Sequence, residues 1–156
     1  MTQPQTQTES SISPSQVEVI LIPNHSRTEW TEDQMRKHLT PAIAKSHGRI
    51  TMDQVFYLMN TDRVQVWFAI YEDDVITVVV TEIVEWVSGR RCVKVMLAGG
   101  FGSMDKTIGP IMDMLENFAL SEACVSVMVE GRKGWERALP DGYEFSHVTC
   151  EKELLQ

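Results

Sequence analysis

Residues 63–98 commit this chain to extended structure. Apolar, mostly β-branched or aromatic residues recur there with a period near two: Val64, Val66 and Phe68, then Val75 to Val80, then Val93, Val95 and Leu97. Residues 72–74 and 88–90 are polar and turn-forming, and connections this short join only antiparallel neighbours. The reading is a three-stranded meander. Its middle strand, residues 75–87, is long enough to require a bulge or a protruding hairpin. Trp67 and Trp86 are read as sheet-packing aromatics.

The flanking segments supply the rest of a mixed fold. Val17, Val19 and Leu21 alternate with Glu18, Ile20 and Ile22, a first strand that Pro23 and Asn24 end. Thr31 with Gln34 spells a capping box, with Trp30 and Met35 placed to staple across it. Pro41 predicts an interruption, and a second helical piece, residues 42–47, stops at Gly48. Thr51 with Gln54 repeats the box, and Ile50 with Val55 the staple. After the meander come Gly99, Gly100 and Gly102. A helix follows whose positions Ile108, Ile111, Met112, Leu115, Phe118 and Ala119 trace one apolar face. Pro110 is harmless there if Thr107 is the cap, but removes an internal bond if Asp105 is. Val125, Val127 and Val129 read as a strand, residues 132–139 as a short helix and residues 143–149 as a last strand.

Composition bounds the function. With 156 residues and 43% hydrophobic content, one domain can bury a real core. The expected division is a tail over residues 1–16, a single domain over 17–150 and a carboxyl-terminal tail over 151–156. The first segment is too rich in Gln, Thr and Ser to bury enough apolar area for autonomous order. A formal charge of -8 disfavours general nucleic-acid binding. Cys92, Cys124 and Cys150 are odd in number and lack paired spacing, which suits free thiols in a reducing compartment. No apolar run is long enough to cross a bilayer and the amino terminus has no export-signal pattern, so a soluble, unexported protein is expected. His25, His38 and His47 lack ligand spacing, and Met112 with Met114 reads as filler in an apolar stripe, so no metal is expected. His147, on the expected last strand, reads as a packing or solvent-facing residue.

The element order, β-α-α-β-β-β-α-β-α-β, resembles that of the Gcn5-related N-acetyltransferases: an α+β fold with a mixed, mostly antiparallel sheet and helices on both faces. Within it, Gly131-Arg132-Lys133-Gly134-Trp135-Glu136-Arg137 followed by Leu139 and Gly142-Tyr143 resembles small acetyltransferase-like proteins of tailed bacteriophages, some of them internal virion components. That resemblance implies a non-catalytic virion structural or assembly protein. It would lie in the virion, or in the host cytoplasm during assembly, contact other virion proteins and be compatible with an oligomer. Arg132, Lys133, Trp135 and Arg137 would be its interface, Arg and Trp being favoured anchors.

The wider family implies the alternative, an acetyl-coenzyme-A-dependent N-acetyltransferase acting on a small amine or a host protein. The family holds the coenzyme diphosphate on a loop reading Q/R-x-x-G-x-G/A at a helix N-terminus. Gly100, Phe101, Gly102 and Ser103 would be that loop, with Leu97 at the Gln/Arg position and Asp105 at the helix mouth; these two are expected to close the site. The family's carboxylate base and tyrosine acid fall on positions here filled by a strand without an acid, residues 92–97, and by Ala138. Glu82, Glu85 and Tyr143 remain as weak catalytic candidates, Glu82 and Glu85 acting through water.

Overall fold

The computed structural model describes residues 16–100, 104–131 and 135–155. Five strands form one sheet in the order of the sequence: β1 (Glu18–Ile22), β2 (Gln65–Tyr71), β3 (Asp74–Glu85), β4 (Arg91–Gly100) and β5 (Ser126–Val129). The first three pairings are antiparallel, as the short turns dictate, and β5 runs parallel to β4. Left-handed Glu72 and Asp73, with φ of 48° and 66°, form the β2–β3 turn and match the twist of its strands. Two register shifts account for the length of β3: Ile76 is an extra residue in β3 opposite β2, and Met96 an extra residue in β4 opposite β3.

Alternation along the strands sorts the core into two layers. Val66, Phe68, Val78, Val80 and Leu97 meet α1 (Glu29–Ala44) and α2 (Met52–Asn60) through Met35, Leu39, Val55 and Met59. Trp67, Ala69, Val79 and Val95 meet α3 (Met104–Ser121) through Ile108, Ile111, Met112 and Leu115 on the opposite face. A short α4 (Trp135–Ala138) lies beside α3. The expected α+β architecture, helices on both faces of a mostly antiparallel sheet, is what the chain adopts.

Several local expectations change. The first helix is capped by Thr28, whose hydroxyl accepts from the Thr31 amide; the cap geometry sits three residues before the expected box. Trp30 is therefore inside the helix and half exposed, and makes an edge contact with Phe68 at 6.0 Å. Pro41 does not break α1. It is exposed, so solvent can reach the carbonyl that its missing N–H leaves behind, and the helix ends at Ala44 before the left-handed pair His47 and Gly48. The Thr51–Gln54 box forms as read. Pro110 lies two turns inside α3, because the helix begins at Met104, ahead of both expected caps. Buried Thr107 ties this first part of α3 to β3 through the Thr77 hydroxyl at 3.2 Å.

Trp67 packs in the core as expected. Trp86 does not: β3 ends at Glu85, leaving Trp86 half exposed on the hairpin. The largest departure is at the end of the chain. Residues 143–149 form no strand. Phe145 and Val148 are exposed, and the segment is held at its ends, by Tyr143 to Glu116 of α3 and by an ion pair between Glu151 and Arg49 on the other face. Between these tethers the segment lines the same cleft as β5 without pairing with it.

On the buried face of α1, burial holds the His38 imidazole below its ordinary value of 6.5, with repulsion from Lys37 adding to the effect and a hydrogen bond involving the Val75 backbone opposing it. The folded state thus favours neutral imidazole, and the unfolded chain takes up the proton first. Unfolding free energy should fall as pH drops below about 6.5, levelling off once the folded-state value is passed. Urea melts at pH 7.5, 6.5 and 5.5 should show a shallower pH dependence in His38→Gln than in the parent.

Candidate functional site

The sheet splits between β4 and β5. Their parallel pairing covers only four residues of each strand, from Cys92 opposite Ser126 to Val95 opposite Val129. Beyond it β4 runs on to Gly100, still paired with β3 on its other side. The bulge at Met96 falls where the pairing stops, and bending there lets the strands diverge. Residues 96–100 consequently present a backbone edge without a strand partner among the described residues, a row of peptide groups able to pair with an extended amide-bearing ligand.

Helix α3 begins at the open end of the split, Met104 following Gly100 after three residues. Its first amide hydrogens have no acceptors within the helix, and the helix dipole adds positive potential at that end. The cleft continuing from the split is open to solvent, with a volume of about 2410 Å³, and is lined on the α1 side by His38, Ala42 and Arg49 and on the α3 side by Trp135, Leu139 and Tyr143. Its width reflects the uncovered outer edge of β5.

Gly100 lies at the tip of β4, and Phe101, Gly102 and Ser103, with the Asp105 carboxylate, lie outside the described residues. Gly99 and Gly100 have packing duties: a Cβ on Gly99 would fall inside the His38 carbonyl of α1, and one on Gly100 would lie 2.5 Å from the Ile76 carbonyl at the bulge. Leu97 is not a gate at the helix mouth. It pairs with Val80 inside β4, is 8% exposed and points into the core under α1, away from α3. Strand β4 is longer than its apolar pattern implied, because glycines ended the visible alternation.

The structure separates the catalytic candidates. Glu82 lies opposite Lys94, near the apex of the split, with its carboxylate 3.7 Å from the Lys94 ammonium. Glu85 pairs with Arg91 at the hairpin end of the sheet, five residues from the bulge at Met96, about 17 Å away along the strand. Tyr143 donates to Glu116 at 3.3 Å. Glu116 is twelve residues into α3, about 18 Å from its N-terminus. Burial and, after it, the Glu116 charge push the Tyr143 phenol far above its ordinary value, so it keeps its proton and is a weak acid. Glu82 lies with Lys94 on the face of the sheet turned toward α1, whereas Tyr143 packs with the core under α3 on the other.

Of the expected interface, Arg132 and Lys133 lie outside the described residues, and Arg137 is exposed. Trp135 is partly buried: its indole closes on Gly131, whose added Cβ would sit 2.8 Å from Nε1, and it joins the core under α3. Its indole packs within the chain. The three cysteines are free thiols, and no cluster of metal-ligating side chains occurs among the described residues. No described helix is long and apolar enough to cross a membrane.

One pair at the apex was missed by the sequence reading. Glu130, immediately after β5, accepts from Lys94 at 2.9 Å, and that hydrogen bond holds its carboxyl below the ordinary carboxylate value despite partial burial. The visible signal was a single lysine inside an apolar strand, Val93-Lys94-Val95, and an acid ending another, Val129-Glu130. Nothing in either pattern says that the two strands are neighbours.

Comparison with known proteins gives the fold and stops there. No protein-family model matches the chain, and no curated protein sequence does. Among solved structures, the chain is similar to an aminoglycoside acetyltransferase from an uncultured soil metagenomic sample, in complex with sisomicin. They share 12% identity over 90% of this chain and 98% of that one, with a TM-score of 0.64. A GNAT family acetyltransferase from Staphylococcus aureus gives 11% identity over 89% and 99% of the two chains and a TM-score of 0.64. A ribosomal-protein-alanine N-acetyltransferase from Brucella melitensis gives 13%, 87% and 99%, and 0.57. The expected acetyltransferase fold is therefore present over nearly the whole of each neighbour. None of these three neighbours is described as a virion protein.

Proposed function

We propose that the chain is an acetyl-coenzyme-A-dependent N-acetyltransferase whose acceptor is a primary amine. The observation that carries this reading is the split between β4 and β5 with α3 starting at its open end. The residues present fit such a cosubstrate. Peptide groups of residues 96–100 would pair with the amides of the pantetheine arm, and the free amides of α3 would receive the diphosphate. Bound there, the coenzyme supplies an activated acyl thioester. The chain's own part is to orient the arm along the β4 edge and to place carboxylates near the apex, where Glu82 and Glu130 can take protons or hold a cationic amine. The acceptors named for two of the structural neighbours, an aminoglycoside and a ribosomal-protein alanine, support an amine as substrate class.

This places the enzymatic reading ahead of the non-catalytic virion role: Leu97 leaves the helix mouth, and the split is built. Isothermal calorimetry with acetyl-coenzyme A should give micromolar binding. Absence of heat at millimolar coenzyme would return the chain to the scaffold reading, for which mass spectrometry of purified phage particles is the direct check.

A further inference from the structure

We propose that Lys94 is an internal acyl acceptor, its ε-amine taking the acyl group from a bound acyl thioester to give an Nε-acyl-lysine at the apex of the split; this rests on the coenzyme reading above. The register fixes the placement. Lys94 lies opposite Met128, one residue before the last paired position of β4, on the face turned toward α1. Glu130 is two residues beyond Met128 on the same face, past the end of β5, so an ammonium 2.9 Å from Glu130 reaches along the strands toward the divergence. Glu82, directly across on β3, flanks it at 3.7 Å. The lysine side chain is 23% exposed and lines the cleft, so its amine is open to a ligand while its stem is fixed by a central strand.

An ion pair serves as a proton relay only if the acceptor is in contact with the donor, and Glu130 meets that condition. The ammonium gives one proton to a Glu130 oxygen. The freed lone pair attacks the thioester carbonyl carbon, a C–N bond forms and the C–S bond breaks. The departing thiolate takes the second proton from nitrogen, and Glu130 releases the first to solvent. Acylation removes the cation that lies between Glu82 and Glu130, so the local charge at the apex falls by one. The acylated site then favours a cationic amine more strongly than the unmodified one.

The test is peptide mapping of the full-length chain after incubation with acetyl-coenzyme A, with binding followed separately by calorimetry. The expected result is one acetyl group per chain, at Lys94, formed at least about tenfold faster than on exposed Lys45 or Lys152. Glu130→Gln should bind the coenzyme equally and slow Lys94 labelling about tenfold or more, with the exposed lysines unaffected. Glu130 is half exposed, so an unchanged thermal melt is expected to show that the variant folds. Acetyl phosphate, which lacks the nucleotide arm, should show no preference for Lys94. Coenzyme binding with Lys94 unlabelled, or labelled no faster than Lys45 or in Glu130→Gln, overturns the proposal and leaves the transferase reading standing. No binding at all overturns both.

Discussion

Gly99→Ala should destabilise the fold by about 3 kcal/mol or more and lower the melting temperature by roughly 6–12 °C. The added methyl would occupy the position of the His38 carbonyl, and the obstacle is helix backbone, which cannot rotate aside as a side chain would. Either α1 lifts from β4, opening the core around Leu39 and Leu97, or β4 bends away from α1. Gly109→Ala is the matching control. That glycine lies inside α3 with nothing beyond its chain neighbours within 4 Å of the added carbon, and the gain in helix propensity is opposed by the contact of a Cβ with the following Pro110 ring, so the change should be within about 1 kcal/mol of neutral. Circular dichroism melts of the two variants check both expectations. The pair also bears on any activity assay: lost transfer in Gly99→Ala would report a displaced helix, since the glycine is required by packing before any ligand is considered.

The same residue illustrates what could and could not be read from the chain. Gly99, Gly100 and Gly102 look alike in sequence, and a glycine-rich stretch before a helix invites a phosphate-binding reading. Only the crossing of α1 over β4, a contact between residues sixty apart, shows that Gly99 is there to let two backbones touch. The meander was legible because each of its strands carries its own period and the turns are short enough to fix the pairing. The Thr51 cap was legible because donor and acceptor are three residues apart. The start of α1 was not, since Thr28 and Thr31 are chemically identical caps and backbone dihedrals choose between them.

The candidate site was less legible than the fold for the same reason. Its shape depends on where β5 leaves β4, which is set by the Met96 bulge and by the brevity of β5, neither of which has a local signature. Glu82 and Glu85 are two equivalent acids in the sequence; the register distinguishes them by pairing one with Lys94 and the other with Arg91. The alternation in residues 143–149 was real and yet did not make a strand. Alternation alone does not pair a segment with an edge, and this one is held only at its ends, by Tyr143 and Glu151.

The second large effect is expected at Trp67, where Trp67→Ala should cost about 3–5 kcal/mol and lower the melting temperature by roughly 6–20 °C. The indole is 3% exposed, packs edge-on against Phe118 of α3 with centroids 5.1 Å apart, and donates through Nε1 to the Thr81 hydroxyl, which in turn donates to Gln65. Truncation leaves a cavity between the sheet and α3 and takes a donor from a buried hydroxyl. Trp67→Phe should recover much of the packing but not the hydrogen bond, leaving a deficit of about 1–2 kcal/mol. Because Phe118 sits near the C-terminal end of α3 and Thr107 near the other, Trp67 and Thr77 clamp the helix to the sheet at two points. Loosening the first should let α3 tilt about the second while its N-terminus stays close to the split. Coenzyme affinity, measured by calorimetry below the melting temperature of the variant, is therefore expected to fall much less than stability does. An equal loss of both would mean that α3 is positioned by Trp67 and not by the Thr77–Thr107 contact.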